Sequence, residues 1–176
     1  MPDAGSPLLV ALAGLPGSGK TTVARALALE LGAVHVRIDV IETALATSGA
    51  VSLEEHPALG YRVAYFEAIE QLRSGRNVIA DSVNPIQVTR DAWRWVAAEG
   101  GARLLEVEVV CSDPEEHRRR VEARVADIPG HVEPTWDEVV VREYEPLELG
   151  AAAFRVDTSV DTNAAVSEVL QHLASP

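Results

Sequence analysis

Lysine and cysteine are almost missing from this chain of 176 residues; each occurs once, as Lys20 and Cys111. A single cysteine excludes an internal disulfide and points to a reducing compartment, hence a cytoplasmic protein. Positive charge is scarce overall: fifteen lysines and arginines face twenty-seven acidic residues, a formal charge of −12. That deficit argues against a nucleic-acid partner, whose phosphate backbone needs clustered cations. It leaves room for a small anion in a local pocket. Long apolar runs are missing too. The first, Leu8 to Leu15, follows an acidic start and ends at a glycine loop. It is too short to span a bilayer, so neither signal peptide nor membrane helix is expected. The five histidines, His35, His56, His117, His131 and His172, lack paired ligand spacing, so no structural zinc is expected. No repeat or linker interrupts the chain, and 47% of it is hydrophobic, so residues 1–176 are expected to form one globular domain.

What is present is an alternation of strand and helix patterns. "PLLVALAG" is a continuous apolar run that suits a strand buried on both faces. "KTTVARALALELG" places Val23, Leu27 and Leu31 on one helical face and stops at Gly32. "AVHVRI", "NVIAD", "RLLEVEVVC" and "AFRVDT" read as further strands. Between and after them, "DVIETALATSG", "ALGYRVAYFEAIEQLRSG", "PIQVTRDAWRWVAAEGG", "SDPEEHRRRVEARV", "TWDEVVVREYE" and "NAAVSEVLQHLA" read as helices. Thr135 and Glu138 have capping-box spacing. Strands alternating with helices predict a parallel α/β sheet covered on both faces, with ligands at the carboxyl ends of the strands.

The lone lysine belongs to "GLPGSGKTT". Gly14, Gly19, Lys20 and Thr21 fit G-x-x-x-x-G-K-[ST], placed between a predicted strand and a predicted helix. Glycines let the backbone N–H groups of Gly14, Leu15, Pro16, Gly17, Ser18 and Gly19 (proline excepted) curl around phosphate oxygens, and the helix amino end adds partial positive charge. Lys20 supplies a point charge, Thr21 a hydroxyl for Mg²⁺, and Thr22 continues the loop into the helix. ATP with Mg²⁺ is the expected cofactor pair.

A phosphate loop fits a GTPase, an ATP-driven motor or a kinase. Guanine reading by N-K-x-D is excluded, because no second lysine exists. A motor commonly carries an acidic pair at a strand end; here Asp81 is followed by Ser82, leaving a metal-side acid without a water-activating partner. A kinase remains. Asp39, just after the second strand, could take the proton of an acceptor hydroxyl; Asp39 and Glu42 also have the spacing of a helix cap and its N3 acid. Arg120 and Arg124, four apart beside the Pro/Gly-rich "ADIPGHVEP", could close over a nucleotide, or could pair with Glu116 on a solvated face. Asn84 and Arg90 could line the acceptor pocket, with a helix cap before Pro85 as the other reading of Asn84. Tyr61 and Tyr65 share a helix face and read as packing or as an acceptor-site wall; Trp93 and Trp95 point to different sides.

In the order "GLPGSGKTT", "RIDVIETAL", "VIADSVN", "HRRRVEAR" and "FRVDTS", the chain resembles the adenylate-kinase-like phosphotransferases of the P-loop superfamily. Its layout is similar to the small-molecule kinases grouped as "AAA family ATPase" and to chloramphenicol phosphotransferase. Shikimate and gluconate kinases and the kinase domain of polynucleotide kinases share the plan. The resemblance implies a three-layer P-loop kinase fold with a five-stranded parallel sheet and a short arginine-bearing lid, about residues 118–135. It implies MgATP as donor and a hydroxyl of a small molecule as acceptor. By position, Asp39 corresponds to the acceptor-side carboxylate, and Arg37 beside it is expected to bind the acceptor too; Thr21 and Asp81 correspond to the metal side, and Arg120 and Arg124 to the lid, Arg120 near the adenine or phosphates. Polynucleotide kinases tend to carry a basic residue three after the catalytic aspartate, where this chain has Glu42. That departure disfavours a polynucleotide 5′-hydroxyl acceptor, which stands as the alternative beside a nucleotide-binding regulator of low turnover. Shikimate kinases carry D-x-D at the second strand; Arg37 replaces its first aspartate here.

Overall fold

The computed structural model describes residues 5–150 and 152–175. Five strands form one parallel sheet: β1 (Leu8–Ala13), β2 (Val34–Arg37), β3 (Val78–Asp81), β4 (Arg103–Val110) and β5 (Ala153–Asp157), in the order β2-β3-β1-β4-β5. The helices are α1 (Lys20–Glu30), α2 (Ile38–Ser48), α3 (Leu59–Arg73), α4 (Gln87–Gly100), α5 (Pro114–Ala123), α6 (Trp136–Val140) and α7 (Thr162–Ala174). The architecture is the expected α/β P-loop kinase fold.

Side-chain alternation along β1 explains the two layers. Leu9 and Ala11 point to one face, where α3 brings Ala64, Ala68 and Leu72 and α4 brings Trp93 and Val96. Leu8, Val10 and Leu12 point to the other, against Val23 and Leu27 of α1 and Val166 and Val169 of α7. Period-two strands between period-3.6 helices bury both sheet faces without leaving backbone groups unpaired. Trp93 is wholly buried while Trp95 is exposed, and Tyr65 packs edge-on against Trp93.

On β4 the alternation exposes a second device. Glu106 and Glu108 are buried; Glu106 accepts from Arg94 of α4 at 2.8 Å. Glu108 accepts hydrogen bonds from the Tyr144 hydroxyl, the Leu147 N–H and Arg155 Nε. The carboxylate thereby anchors the segment after α6 as a strap over that face. This explains why α6 spans only Trp136–Val140, shorter than the helix expected from "TWDEVVVREYE". The Thr135–Glu138 capping box at its start is formed as expected.

Two expectations about helix starts are corrected. Asp39 does not cap α2: Arg37 occupies that position, and Asp39 lies inside the first turn. Asn84 does not cap α4, which begins at Gln87 after the extended Ile86; Asn84 itself has φ 47°. Pro85 separates Asn84 from the helix and pushes the preceding residue out of the helical region. Among the described residues no helix is long and apolar enough to cross a membrane.

Candidate active site

The chain runs from β1 to the β3–β2 side of the sheet and then crosses to β4 and β5. A crevice therefore opens at the carboxyl ends of the strands, where the loops part. The glycine loop fills its floor. Gly14 sits at φ +142°, and a Cβ there would strike the Val109 carbonyl of the neighbouring strand. Gly19, at φ +92°, caps α1 against the Thr158 side chain. Both positions need glycine because a side chain would strain the backbone as well as collide. Thr158, itself wholly buried, donates to the Ser18 carbonyl at 2.7 Å and fixes the loop from the β5 side. His117 of α5 meets the Pro16 carbonyl through Nε2 at 2.8 Å and stacks edge-on with Trp136.

Lys20 is 8% exposed and donates to the Leu15 carbonyl at 2.9 Å. Burial lowers its pKa to about 8, against the opposing pull of Asp81; Arg124 adds to the lowering. Asp81 ends β3 beside Thr21 and 3.2 Å from His35 Nε2. Burial pushes its carboxyl up, but the His35 hydrogen bond and the Lys20 charge outweigh that and hold it below the ordinary carboxylate range. The Thr21 hydroxyl and the Asp81 carboxylate are hard oxygen donors, the set that suits Mg²⁺.

Lys20, Thr21, Asp39, Asp81 and Arg124 all line one cavity of about 630 Å³. Asp39 is held by an Arg37 fork, Nε to Oδ1 at 3.1 Å and Nη2 to Oδ2 at 2.8 Å, and accepts from the Val40 N–H. Arg124, at the carboxyl end of α5, lies 4.0 Å from Asp39 and pairs with Glu133 at 2.9 Å. A second cavity of about 320 Å³ lies over Gly17, Gly19, Thr22, Arg120 and Arg124. There Arg120 donates to Glu116 and to both the hydroxyl and carbonyl of Thr158. The i, i+4 pairing with Glu116 coexists with a position beside the phosphate loop, so the two readings of Arg120 are not exclusive.

Three sequence expectations are corrected. Arg90 does not line the cavity; it is 2% exposed and donates to the carbonyls of Asn84, Pro85, Glu145 and Pro146. Its guanidinium ties the strap to the start of α4. Asn84 is also fully buried and away from the cavity lining. Arg37 does not line it either; its guanidinium is spent on Asp39 and Asp127. Conversely, Glu42, Tyr61, Ser82, His131, Glu133, Glu138 and Arg142 line the cavity. Tyr61 is thus a wall residue as well as a packing one, its hydroxyl accepting from the Asn84 N–H. Arg142 acts electrostatically on Lys20 and Glu42. No local motif marks it, because the strap alone brings it over the crevice.

Residues 9–140 match the family described as an AAA domain. Over 117 residues the chain is 33% identical to a "Probable adenylyl-sulfate kinase" of Aeropyrum pernix, covering 64% of this chain and 63% of that relative, less than two thirds of its length. The APS kinase of Mycobacterium tuberculosis, solved with AMPPNP and APS, superposes with a TM-score of 0.69 at 20% identity, over 97% of this chain and 99% of that one. A gluconokinase from Sinorhizobium meliloti superposes with a TM-score of 0.65 at 22% identity, over 97% and 92%. With three quarters of its length inside the family match and the phosphate loop, five-stranded parallel sheet and strand-end crevice in place, the chain belongs to the AAA domain family and has the P-loop kinase fold.

Proposed function

We propose that the protein is a cytoplasmic, ATP-dependent kinase that moves the γ-phosphoryl group of ATP to a hydroxyl of a small molecule. The observation that carries this reading is the convergence of Lys20, Thr21, Asp81, Asp39 and Arg124 on one cavity. Backbone N–H groups of the glycine loop and the Lys20 ammonium bind the phosphates. The oxygens of Thr21 and Asp81 would hold Mg²⁺, whose chemistry is to neutralise phosphate charge. Asp39 accepts a hydrogen bond from the acceptor hydroxyl and takes its proton as the new oxygen–phosphorus bond forms and the bond to the ADP oxygen breaks. The Arg37 fork holds the Asp39 carboxylate in one orientation, which supports in-line alignment. Arg124, and Arg120 beside the loop, stabilise charge on the transferring group and exclude water.

Asp39→Asn tests the reading. The substitution keeps size and polarity, and Arg37 retains Asp127 as a partner. Phosphoryl transfer should fall roughly 10²–10⁴-fold, the usual loss for a general base, while ATP affinity by calorimetry is retained. Wild-type transfer by Asp39→Asn would remove Asp39 from the chemistry.

A further inference from the structure

One carboxylate in the cavity has no task in the mechanism above. Glu42 sits one turn after Asp39 on α2 and lines the same cavity. The neighbouring charges are matched: Arg37 with Asp39, Arg124 with Glu133, and Glu138 with the amino end of its own helix. Glu42 has no hydrogen bond or ion pair among the described residues and is partly withdrawn from water. Its place is built into α3. Gly60, a buried glycine in the first turn of that helix, lies against the Glu42 side chain, and a Cβ there would collide with it. Glycine is a poor helix former, so helix propensity does not account for it, whereas room for Glu42 does.

An independent feature points into the same space. Ser82 is 6% exposed, lines the cavity, and has an Oγ without a hydrogen-bond partner. The Tyr61 hydroxyl beside it accepts from the Asn84 N–H and is near enough to act on Ser82 as well. A buried serine hydroxyl can make more than that one marginal contact, and the remaining capacity at the cavity wall suits a polar group of a ligand. Lys20 lies on the phosphate loop, with Arg124 near enough to act on its charge. Arg142 acts on both Lys20 and Glu42, but at Glu42 burial and the Asp39 charge outweigh it. The cavity is therefore polarised, with Lys20 and Arg124 toward the phosphate loop and two carboxylates, Asp39 and Glu42, on α2.

We infer that Glu42 selects the acceptor, and that the acceptor is an alcohol carrying a protonated amine, with the ammonium on Glu42 and a further polar group on Ser82. An acidic acceptor would bring its charge beside Asp39 and Glu42. A neutral polyol would leave the partly desolvated Glu42 with only the Arg142 charge, which falls short of offsetting its burial. The phosphoryl group still goes to the hydroxyl oriented by Asp39; the ammonium keeps its protons and serves only for binding. This inference rests on the kinase reading.

The test is transfer from MgATP to matched sets of alcohols that differ only in charge: amino sugars, parent sugars and uronic acids; serinol, glycerol and glycerate; aminocyclitols and cyclitols. Within the best set, the amine member should exceed its neutral counterpart about tenfold or more in kcat/KM, as expected for a hydrogen bond to a charged group. Glu42→Gln should raise KM for the amine member by about 10- to 100-fold, with kcat changed much less, and should bring the amine-to-neutral ratio close to one. Gly60→Ala, which displaces the Glu42 side chain without removing it, should move the same ratio in the same direction. Preference for a neutral or acidic member, or a Glu42→Gln loss equal across all members, overturns the assignment and leaves the kinase reading intact. Transfer to no member by a protein that binds ATP counts against the kinase reading and takes this inference with it.

Discussion

Lys20 carries a proton at an energetic disadvantage. Burial brings its pKa from 10.5 to about 8, so the ammonium is disfavoured until an anion arrives. The sign of the stability effect follows. Between pH 8 and 10.5 the unfolded chain holds this proton and the folded one releases it, so the Lys20 contribution to stability rises with pH across that window. Nucleotide binding works in the other direction, because phosphate charge restores the ammonium. At pH 9, calorimetry in buffers of different ionisation enthalpy should therefore register net proton uptake on ATP binding, and near pH 6.5 almost none from this group. Lys20→Met should remove the uptake and most of the affinity. Proton-neutral binding at pH 9 by the wild type would separate Lys20 from the phosphate. Asp81 acts in the same direction at lower pH: its depressed pKa gives stability that is present above the ordinary carboxylate pKa and is lost as pH falls through the folded one.

Two elements hold the crevice in shape from opposite sides. The loop after α5 is drawn onto the body by Asp127, which pairs with Arg37 at 2.8 Å and with Arg25 of α1. Those partners hold its carboxyl well below the ordinary range, Arg37 foremost. Asp127 and Arg25 are exposed and only Arg37 is mostly buried, so the pairs tune closure more than global stability. Asp127→Asn should leave the melting temperature within a few degrees and should raise KM for ATP several-fold, more so at low salt where the latch is strongest. The strap after α6 is held far more firmly. Glu108 is 1% exposed and takes three donors from residues 144, 147 and 155. Glu108→Ala should destabilise the protein by about 3 kcal/mol, the usual cost of stripping one partner from a buried charged network. Because the strap also carries Arg142 over the cavity, activity should fall at temperatures where the variant remains folded. Thermal unfolding and steady-state rates measured together separate these effects; an unchanged melting temperature would show that the strap holds without Glu108.

At the scale of the whole molecule the formal charge is −12, with a sequence pI of about 4.8. The basic run Arg118 to Arg120 is committed internally: Arg118 to Glu122, Arg119 to Glu116, and Arg120 to Glu116 and Thr158. A molecule so charged repels phosphate backbones. Fluorescence anisotropy with single-stranded and duplex oligonucleotides at 150 mM salt should detect no binding tighter than the roughly 10⁻⁴–10⁻⁶ M of non-specific contacts. Tight binding with a steep salt slope and phosphorylation of a 5′-hydroxyl would instead establish the polynucleotide acceptor.

Much of this protein is legible within short windows of its sequence. The phosphate loop is readable because its glycines, lysine and threonine act on neighbours only a few positions away, between an apolar strand and a helix. The Thr135–Glu138 cap and the layer alternation of β1 are readable for the same reason: short-range sterics and periodicity decide them. Asp39 lines the cavity, but that it is no cap was not legible, since a shift of two residues in a helix start reverses that reading. What no window contains is the pairing of residues far apart. His35 meets Asp81 only because β2 and β3 pair in parallel with Arg37 opposite Asp81. Arg37 is shared between Asp39 and Asp127, ninety positions later, and so is not free for a ligand. Arg90 is taken from the acceptor pocket by carbonyls of a strap more than fifty residues downstream, and that strap also sets Arg142 over the crevice. Chemistry carried by adjacent residues was determined by the sequence itself. The partners and direction of each long charged side chain were decided by the tertiary structure, because such a side chain reaches whichever counter-charge the packed sheet brings within a few ångströms.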